Sequence, residues 1–448
     1  MTPAELWCLL ALMLPLPERV APAAGLQLPG QFGPLIPQQP PPAALPNWLL
    51  ATATHLPSIY TNQESGYFSI IQGHNGKLYI GTAKYGVNCY LLEFDPLTRQ
   101  VRLVMDVHEV IGVIAFGFAA QAKIHTRNNV GASGLIYVGS KQGYPEKGEP
   151  RTHYPGGYVL THDPKTGRNQ HFGIAKAHHG IISVMPDESR GVAYVSTCSD
   201  DRPIDHTHFM ILDLQKRTYR DLGDMEHAYA FIVLDAQGRA YHPKRGGSVA
   251  RYDPATDRLE VLPLTVNGQT PPALARDGAI QNWDTSPDGK TLWCVEMSTN
   301  ALYAFDLTAA GQQVPGRLVG ELLPGGGAGR ARRTDCRAMC VARDGKVWAA
   351  LTEHGIKGGP QLYLVGYDPA QQRWLARRPV GIANPDYITL TDQQGKPKPW
   401  HHTIRKEPDG TLTPWQPMGV AAGRDGSVFI TTIAPFTVLS LRPEQLRD

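Results

Sequence analysis

Three features that are scarce in this sequence exclude whole classes of protein. Only six cysteines occur among 448 residues. Five lie beyond the N-terminal apolar run, namely Cys89, Cys198, Cys294, Cys336 and Cys340. A disulfide scaffold would need more cysteines, and an odd number leaves one unpaired. Positive and negative side chains nearly balance, at 43 against 40, so net charge indicates no nucleic-acid partner. The apolar run 6–16 is too short to span a bilayer, and we expect no membrane span.

Helix-period patterns are also nearly absent, and a repeated strand pattern takes their place. A glycine turn followed by a short alternating strand recurs at spacings of 47–58 residues, except for a final spacing of 81. In the first six repeats a second tight turn follows, such as FDPLT (94–98) or YDPATD (252–257). Four short strands per repeat predict an all-β fold, a seven-bladed β-propeller of four-stranded antiparallel blades. The seven glycines are Gly76, Gly134, Gly191, Gly238, Gly289, Gly345 and Gly426.

The ends of the repeat array suggest how the chain is organised. Residues 1–25 resemble a signal peptide, although no positive charge precedes the apolar run, so a misassigned start or a cytoplasmic terminus is the alternative. Residues 26–46 are proline-rich and predict an extended tether. Residues 47–448 then form one propeller, with a polar insert at 381–416, and segment 47–62 could supply the strand that closes the ring. This organisation predicts a secreted or periplasmic protein and a monomer.

Histidines concentrate on one predicted face. If strands are lettered a to d from the axis outward, the glycine turns lie on one face and the b–c and d–a loops on the other. We call the second face the histidine-rich face. A single histidine there is usually a loop hydrogen-bonding residue, but eight over three blades indicate a functional site. They are His125, His153, His178, His179, His206, His208, His227 and His242.

The residue types on this face favour proton transfer over other chemistries. No clear carboxylate pair for glycoside hydrolysis is present, and no G-x-S-x-G motif occurs. β-Elimination at a uronic acid needs a cation on the carboxylate, a base and an acid, and Lys/Arg, His and Tyr supply these. The predicted catalytic residues are His125, Lys141, Tyr144, Tyr154 and His179. The predicted substrate-binding residues are Lys123, His153, His206, His208, His242 and Arg245.

Blades two to four resemble a known family. The stretches are KIHT (123–126), GLIYVGS (134–140), YPGGYVLTHDPKTG (154–167) and HGIISVMPDESRGVAYV (179–195). They resemble the seven-bladed polysaccharide lyases that cleave ulvan, and their relatives acting on rhamnose–glucuronate linkages. The resemblance implies that His125, which opens the second blade, is a site residue. The family's second histidine and its tyrosine correspond here to Lys141 and Cys198.

We therefore predict a secreted polysaccharide lyase acting on a uronic-acid-containing glycan, with an acidic polysaccharide or oligosaccharide as partner and no required cofactor. One alternative is a non-catalytic propeller that binds glycan or protein. Another is a metal-dependent oligouronide lyase, because His206 and His208 share one face of a strand and His179 or His242 could join them. A structural zinc ion on Cys294, Cys336 and Cys340 is a separate possibility, since residues four apart on a strand share a face. Buried thiols, which the sequence favours, and a disulfide are the alternatives.

Overall fold

A computed structural model describes residues 48–62, 64–200, 205–325, 333–355, 359–396, 398 and 403–447. The predicted signal peptide (1–25) and tether (26–46) lie outside these residues. The fold is all-β, as predicted. The α-helices in the described residues are short: α1 (Val107–Ile111) and α2 (Pro272–Ala275). No helix in the described part of the chain is both long enough and apolar enough to cross a membrane.

Strands that are consecutive in the sequence form groups of antiparallel strands, which we call runs. Tight turns join the strands within a run. The first half contains β2 (Glu64–Gln72), β3 (Leu78–Ala83), β4 (Tyr90–Phe94), β5 (Val101–Asp106), β6 (Lys123–Ile124), β7 (Asn129–Val130), β8 (Ile136–Lys141), β9 (Tyr158–His162), β10 (Asn169–Ile174), β11 (Gly180–Asp187), β12 (Val192–Cys198), β13 (His208–Asp213) and β14 (Thr218–Asp224), after β1 (Leu49–His55). Within β2–β5, β7–β10 and β11–β14, each strand pairs antiparallel with its sequence neighbours. The short strand β6 pairs with both β3 and β8, and so joins the first run to the second.

The second half repeats this arrangement. It contains β15 (Val233–Leu234), β16 (Ala240–Lys244), β17 (Ser248–Asp253), β18 (Arg258–Val266), β19 (Gln281–Thr285), β20 (Thr291–Glu296), β21 (Ala301–Asp306), β22 (Val314–Glu321), β23 (Arg333–Val341), β24 (Val347–His354), β25 (Gln361–Asp368), β26 (Arg373–Ile382), β27 (Ile404–Lys406), β28 (Leu412–Pro414), β29 (Pro417–Ala422), β30 (Val428–Thr432) and β31 (Thr437–Leu441). The polar insert therefore carries a hairpin, β27–β28, that pairs with the end of β26 at Ile382 and Leu412.

Some runs are joined edge to edge, so the strands form sheets of ten, nine, four and eight strands instead of separate four-stranded sheets. β18 shows the reason. Its partner β17 pairs with it only as far as Pro263, and Leu264–Val266 extend beyond that point. The free edge of these three residues pairs in parallel with β22, which satisfies their backbone groups.

The seven predicted turns adopt the expected conformation. Each of the seven glycines has a positive φ, between 65° and 94°. Residues other than glycine rarely adopt this backbone conformation. Neighbouring turns also touch. The Ala236 amide donates to the Gly289 carbonyl, and Arg190 donates to the Gln237 carbonyl. The Arg424 amide donates to Gln72, which links the last turn to the first. The glycine turns therefore lie side by side on one face.

The apolar core lies between consecutive runs and closes the ring. One cluster joins Val184 and Ala193 of β11–β12 to Tyr137 and Val159 of the preceding run. Another joins Phe429 and Val438 of the last run to Ile70 and Ile80 of the first. The outer strand of the last run is β1, which pairs antiparallel with β31 from Thr52–Ser440 to His55–Thr437.

Candidate functional site

The first group of predicted residues lies at the start of the second run, near the inner strands. His125 is fully buried, with its ring centroid 4.2 Å from that of Tyr67 and 5.3 Å from that of Tyr229. The Lys123 ammonium, also fully buried, lies 5.5 Å from the centroid of Tyr67 and 4.6 Å from that of Tyr144. We call these five residues the axial cluster. It combines an imidazole, an ammonium and three phenols, the groups needed for proton transfer next to an anion.

Local backbone geometry sets the positions of two of these phenols. Tyr67 and Tyr229 have φ values of 61° and 52°, which are uncommon for large side chains. Tyr67 also forms an O–O hydrogen bond of 3.0 Å with Tyr85, whose ring lies 5.2 Å from the Lys123 ammonium. Such conformations persist only where surrounding contacts hold them, and they concentrate at functional sites.

A second group lies across β11–β14 on the histidine-rich face, and we call it the His–Asp cluster. The Nδ1 atom of His208 is 2.8 Å from an oxygen of Asp221, and the Nδ1 atom of His206 is 2.5 Å from Asp224. His179 packs edge-on against His208 with ring centroids 5.4 Å apart. Burial, followed by the charge of His208, lowers the pKa of His179 to about 4. At neutral pH His179 is therefore a neutral imidazole that can accept a proton.

A third group surrounds Lys141 and is fully occupied by internal contacts. The Lys141 ammonium pairs with Asp200 at 2.8 Å, and the Cys198 thiol donates to Asp205 over 2.9 Å. Burial alone would lower the pKa of Lys141, but Asp200, Cys198 and Asp205 together outweigh burial, and the pKa is raised. We call Lys141, Cys198, Asp200 and Asp205 the lysine–cysteine cluster. Because the Lys141 ammonium is already paired with the Asp200 carboxylate, it is not available to neutralise a substrate carboxylate.

Four other predicted site residues also make contacts within the protein. The Tyr154 hydroxyl donates to Gln121 over 2.7 Å in a buried position. His242 is fully buried, hydrogen-bonded to Ser196 at 2.8 Å and to the Pro243 carbonyl at 2.7 Å. Arg245 forms a two-pronged pair with Asp277 at 2.8 and 2.9 Å. His153 is exposed and contacts Glu149. The predicted residues thus occupy several environments, and these four do not enter the axial cluster.

The proposed zinc site on three cysteines is wrong. Among the described residues, the ligand atoms of Cys294, Cys336 and Cys340 do not come together. A β-bulge between Cys336 and Ala338 inserts one residue into β23 and reverses the side-chain alternation. Cys336 consequently packs with Trp293 on one side of the sheet, and Cys340 packs with Leu364 on the other.

Within the described part of the chain, one set of three possible metal ligands converges, namely Cys198, Asp200 and Asp205. The adjacent Lys141 ammonium opposes cation binding there. Among the same described residues, His206 and His208 do not belong to a converging set of three ligands. Their Nδ1 atoms pair with different carboxylates. Sequence reasoning missed these two carboxylates, Asp221 and Asp224, because they come from β14 and only strand pairing brings them beside the histidines.

Comparison with known proteins supports the architecture. No family model matches the chain, and no curated protein matches it. Among solved structures, streptogramin B lyase is 14% identical, with a TM-score of 0.50 over 88% of this chain and 97% of that chain. The extracellular domain of a hybrid two component system from B. thetaiotaomicron is 10% identical, with a TM-score of 0.51 over 88% of this chain and 40% of that one. A periplasmic gluconolactonase from Pseudomonas aeruginosa is 15% identical, with a TM-score of 0.45 over 83% of this chain and 97% of that one.

The fold is a β-propeller. At these identities the likeness concerns the fold alone, and a propeller hosts many unrelated activities. The function must therefore be argued from the clusters themselves.

Proposed function

We propose that this propeller has seven blades and is a secreted polysaccharide lyase that cleaves a uronic-acid-containing glycan by β-elimination. The observation that carries the proposal is the axial cluster, in which His125 contacts Tyr67 and Tyr229 while Lys123 lies against Tyr67 and Tyr144. The strand pairings support the blade count, because seven four-stranded units arise if β1 completes the last one.

In the proposed mechanism, Lys123 lies near the uronate carboxylate and stabilises the negative charge that develops when the C5 proton leaves. His125 accepts that proton. The electron pair forms the C4–C5 double bond, the C4–oxygen bond breaks, and a tyrosine of the axial cluster protonates the departing oxygen. No oxidant or reductant is required, and the products are an unsaturated uronate end and a new hydroxyl. This assignment moves the cationic role from Lys141 and Arg245, which are paired with Asp200 and Asp277, to Lys123.

The test compares His125→Gln with the wild-type protein on ulvan and on other uronate polymers, following the ultraviolet absorbance of the unsaturated product. We expect a loss of turnover of about a hundredfold or more, because a positioned general base contributes roughly that factor. His171→Gln is the matched control, since His171 lies in β10 and outside every predicted site. Circular dichroism must show that His125→Gln is folded, because His125 is buried. Absence of unsaturated product with every uronate polymer would refute the lyase proposal.

A non-catalytic glycan-binding propeller is the second candidate, favoured by the internal pairing of Lys141 and Arg245. It predicts saturable binding of a uronate oligosaccharide by the wild-type protein with no unsaturated product. Export is part of the first proposal, and N-terminal sequencing of secreted protein, expected to begin near residue 25, tests it separately.

A further inference from the structure

A cavity of about 280 Å³ lies on the axis, away from the histidine-rich face. It is lined by inner-strand residues next to the glycine turns, including Gln72, Asp284 and Arg343. Phe68 and Phe231 also line it, with ring centroids 4.8 Å apart. Phe68 contacts His125 of the axial cluster on its other side, at 5.4 Å. Phe68 therefore lies between the cavity and the axial cluster, and none of the five axial-cluster residues lines the cavity.

Two exposed arginines stand at the end of this cavity. Arg343 lines it and belongs to the turn at Gly345, and Arg424 belongs to the turn at Gly426. The Arg424 backbone amide donates to the side chain of Gln72, another lining residue, over 2.8 Å. Burial, followed by the charge of Arg424, lowers the pKa of Arg343. The same two arginines, after burial, lower the pKa of His74 in the next turn. The mouth of the cavity is thus positively charged.

The nearby carboxylates are already engaged elsewhere. Asp284 pairs with Arg127 and accepts a hydrogen bond from the Val341 amide at 2.9 Å. Asp344 pairs with Lys346, and Asp425 accepts from the amide and the hydroxyl of Ser427. Within the described residues, neither Arg343 nor Arg424 forms an ion pair. The two guanidinium groups are close enough for the charge of Arg424 to act on Arg343, and a bound anion would offset that repulsion.

We propose that the cavity binds a small ligand carrying a carboxylate or phosphate group, with Arg343 and Arg424 contacting the anion and the ligand body entering the space beside Trp283. Guanidinium groups present paired donors that match the oxygens of both anions. This site is distinct from the proposed lyase site and does not depend on it.

The test is calorimetric titration of the full chain with inorganic phosphate, D-glucuronate and D-glucose. We expect saturable binding of phosphate, glucuronate or both, weakening as salt is raised, and none of glucose. The Arg343→Gln/Arg424→Gln variant should bind at least about tenfold more weakly, the effect of losing roughly one charge-assisted hydrogen bond. Both side chains are exposed, so this variant should keep the wild-type melting temperature.

Arg99→Gln is the matched control, because Arg99 is an exposed turn arginine that does not line the cavity. Binding of phosphate alone or of glucuronate alone identifies which anion the site selects. His125→Gln should bind the anions normally, which separates this inference from the lyase proposal. Absence of saturable anion binding, equal binding of glucose, or undiminished binding by the double variant would overturn it.

Discussion

His227 and His242 are two of the eight histidines that indicated a functional site, and burial changes their protonation. Both side chains are at least 96% buried, and burial lowers the pKa of His227 to about 4 and that of His242 to about 3. The hydrogen bonds of His242 also fix its tautomer, because Nδ1–H donates to a carbonyl and Nε2 then accepts from the Ser196 hydroxyl. A neutral imidazole satisfies both contacts, whereas protonation would make Ser196 Oγ the acceptor and turn its hydroxyl proton away from the imidazole.

This burial predicts a pH-dependent stability. In the unfolded chain these histidines gain protons below the ordinary pKa of 6.5, whereas in the folded protein they stay neutral. The unfolded state therefore binds more protons, and the free energy of unfolding should fall as pH drops from 6.5 towards 5. Each histidine contributes up to about 1.4 kcal/mol per pH unit. Urea unfolding at several pH values measures the slope. His242→Gln should flatten it, His153→Gln should not, and equal slopes in all three proteins would contradict the prediction.

Within β23, one extra residue decides where the cysteines point. Regular alternation would place Cys336 and Cys340 on one face, but the bulge before Ala338 sends them into different cores. Burial raises the pKa of the Cys336 and Cys294 thiols, and it raises the pKa of Cys340 to about 12. All three are therefore inert thiols that contribute packing.

Thiol labelling tests this account of β23. In a Cys8→Ser background, we expect the folded protein to react with a thiol reagent no faster than it unfolds, because the five described cysteines are buried. In denaturant, all five should react. The measurement is the reagent's absorbance with and without denaturant, together with zinc analysis of the purified protein. Rapid labelling of Cys294, Cys336 or Cys340 in the native state, or one zinc ion per chain that is lost in the Cys336→Ser variant, would show that β23 is arranged differently.

The elements also show what the sequence could and could not predict. Glycine turns depend on local backbone conformation, so all seven could be located from neighbouring residues, and each has the positive φ expected. The bulge in β23 has no such local signal. Pairs such as Lys141–Asp200 and Arg245–Asp277 join residues 59 and 32 positions apart, and only the packing of runs brings them together. The sequence identified the chemical groups on the histidine-rich face, but it could not show which charges were already neutralised.

At the scale of the whole molecule, closure of the ring depends on β1. Leu49, Ala51 and Ala53 are at most 1% exposed, and β1 pairs with β31 on one edge. On the other edge, Ala53 exchanges two hydrogen bonds with the side chain of Asn384, at 2.8 and 2.9 Å. The start of the described chain therefore holds the last run and the segment after β26 together. Without this strand the last run would have three strands and an unpaired edge at β31, and its hold on the segment after β26 would be lost.

Truncation tests this role of β1. Removal of residues 2–46 should leave the melting temperature nearly unchanged, because we expect the signal peptide to be removed on export and the proline-rich tether offers no apolar face to bury. Removal of residues 2–55 should lower it strongly and promote aggregation, because the edge of β31 would be exposed. Leu49→Ala in the full chain is the milder matched variant, expected to lower the free energy of unfolding by roughly 2–5 kcal/mol through the cavity it creates. Calorimetry and light scattering measure these effects. Equal melting temperatures for the two truncated proteins would mean that the ring closes without β1.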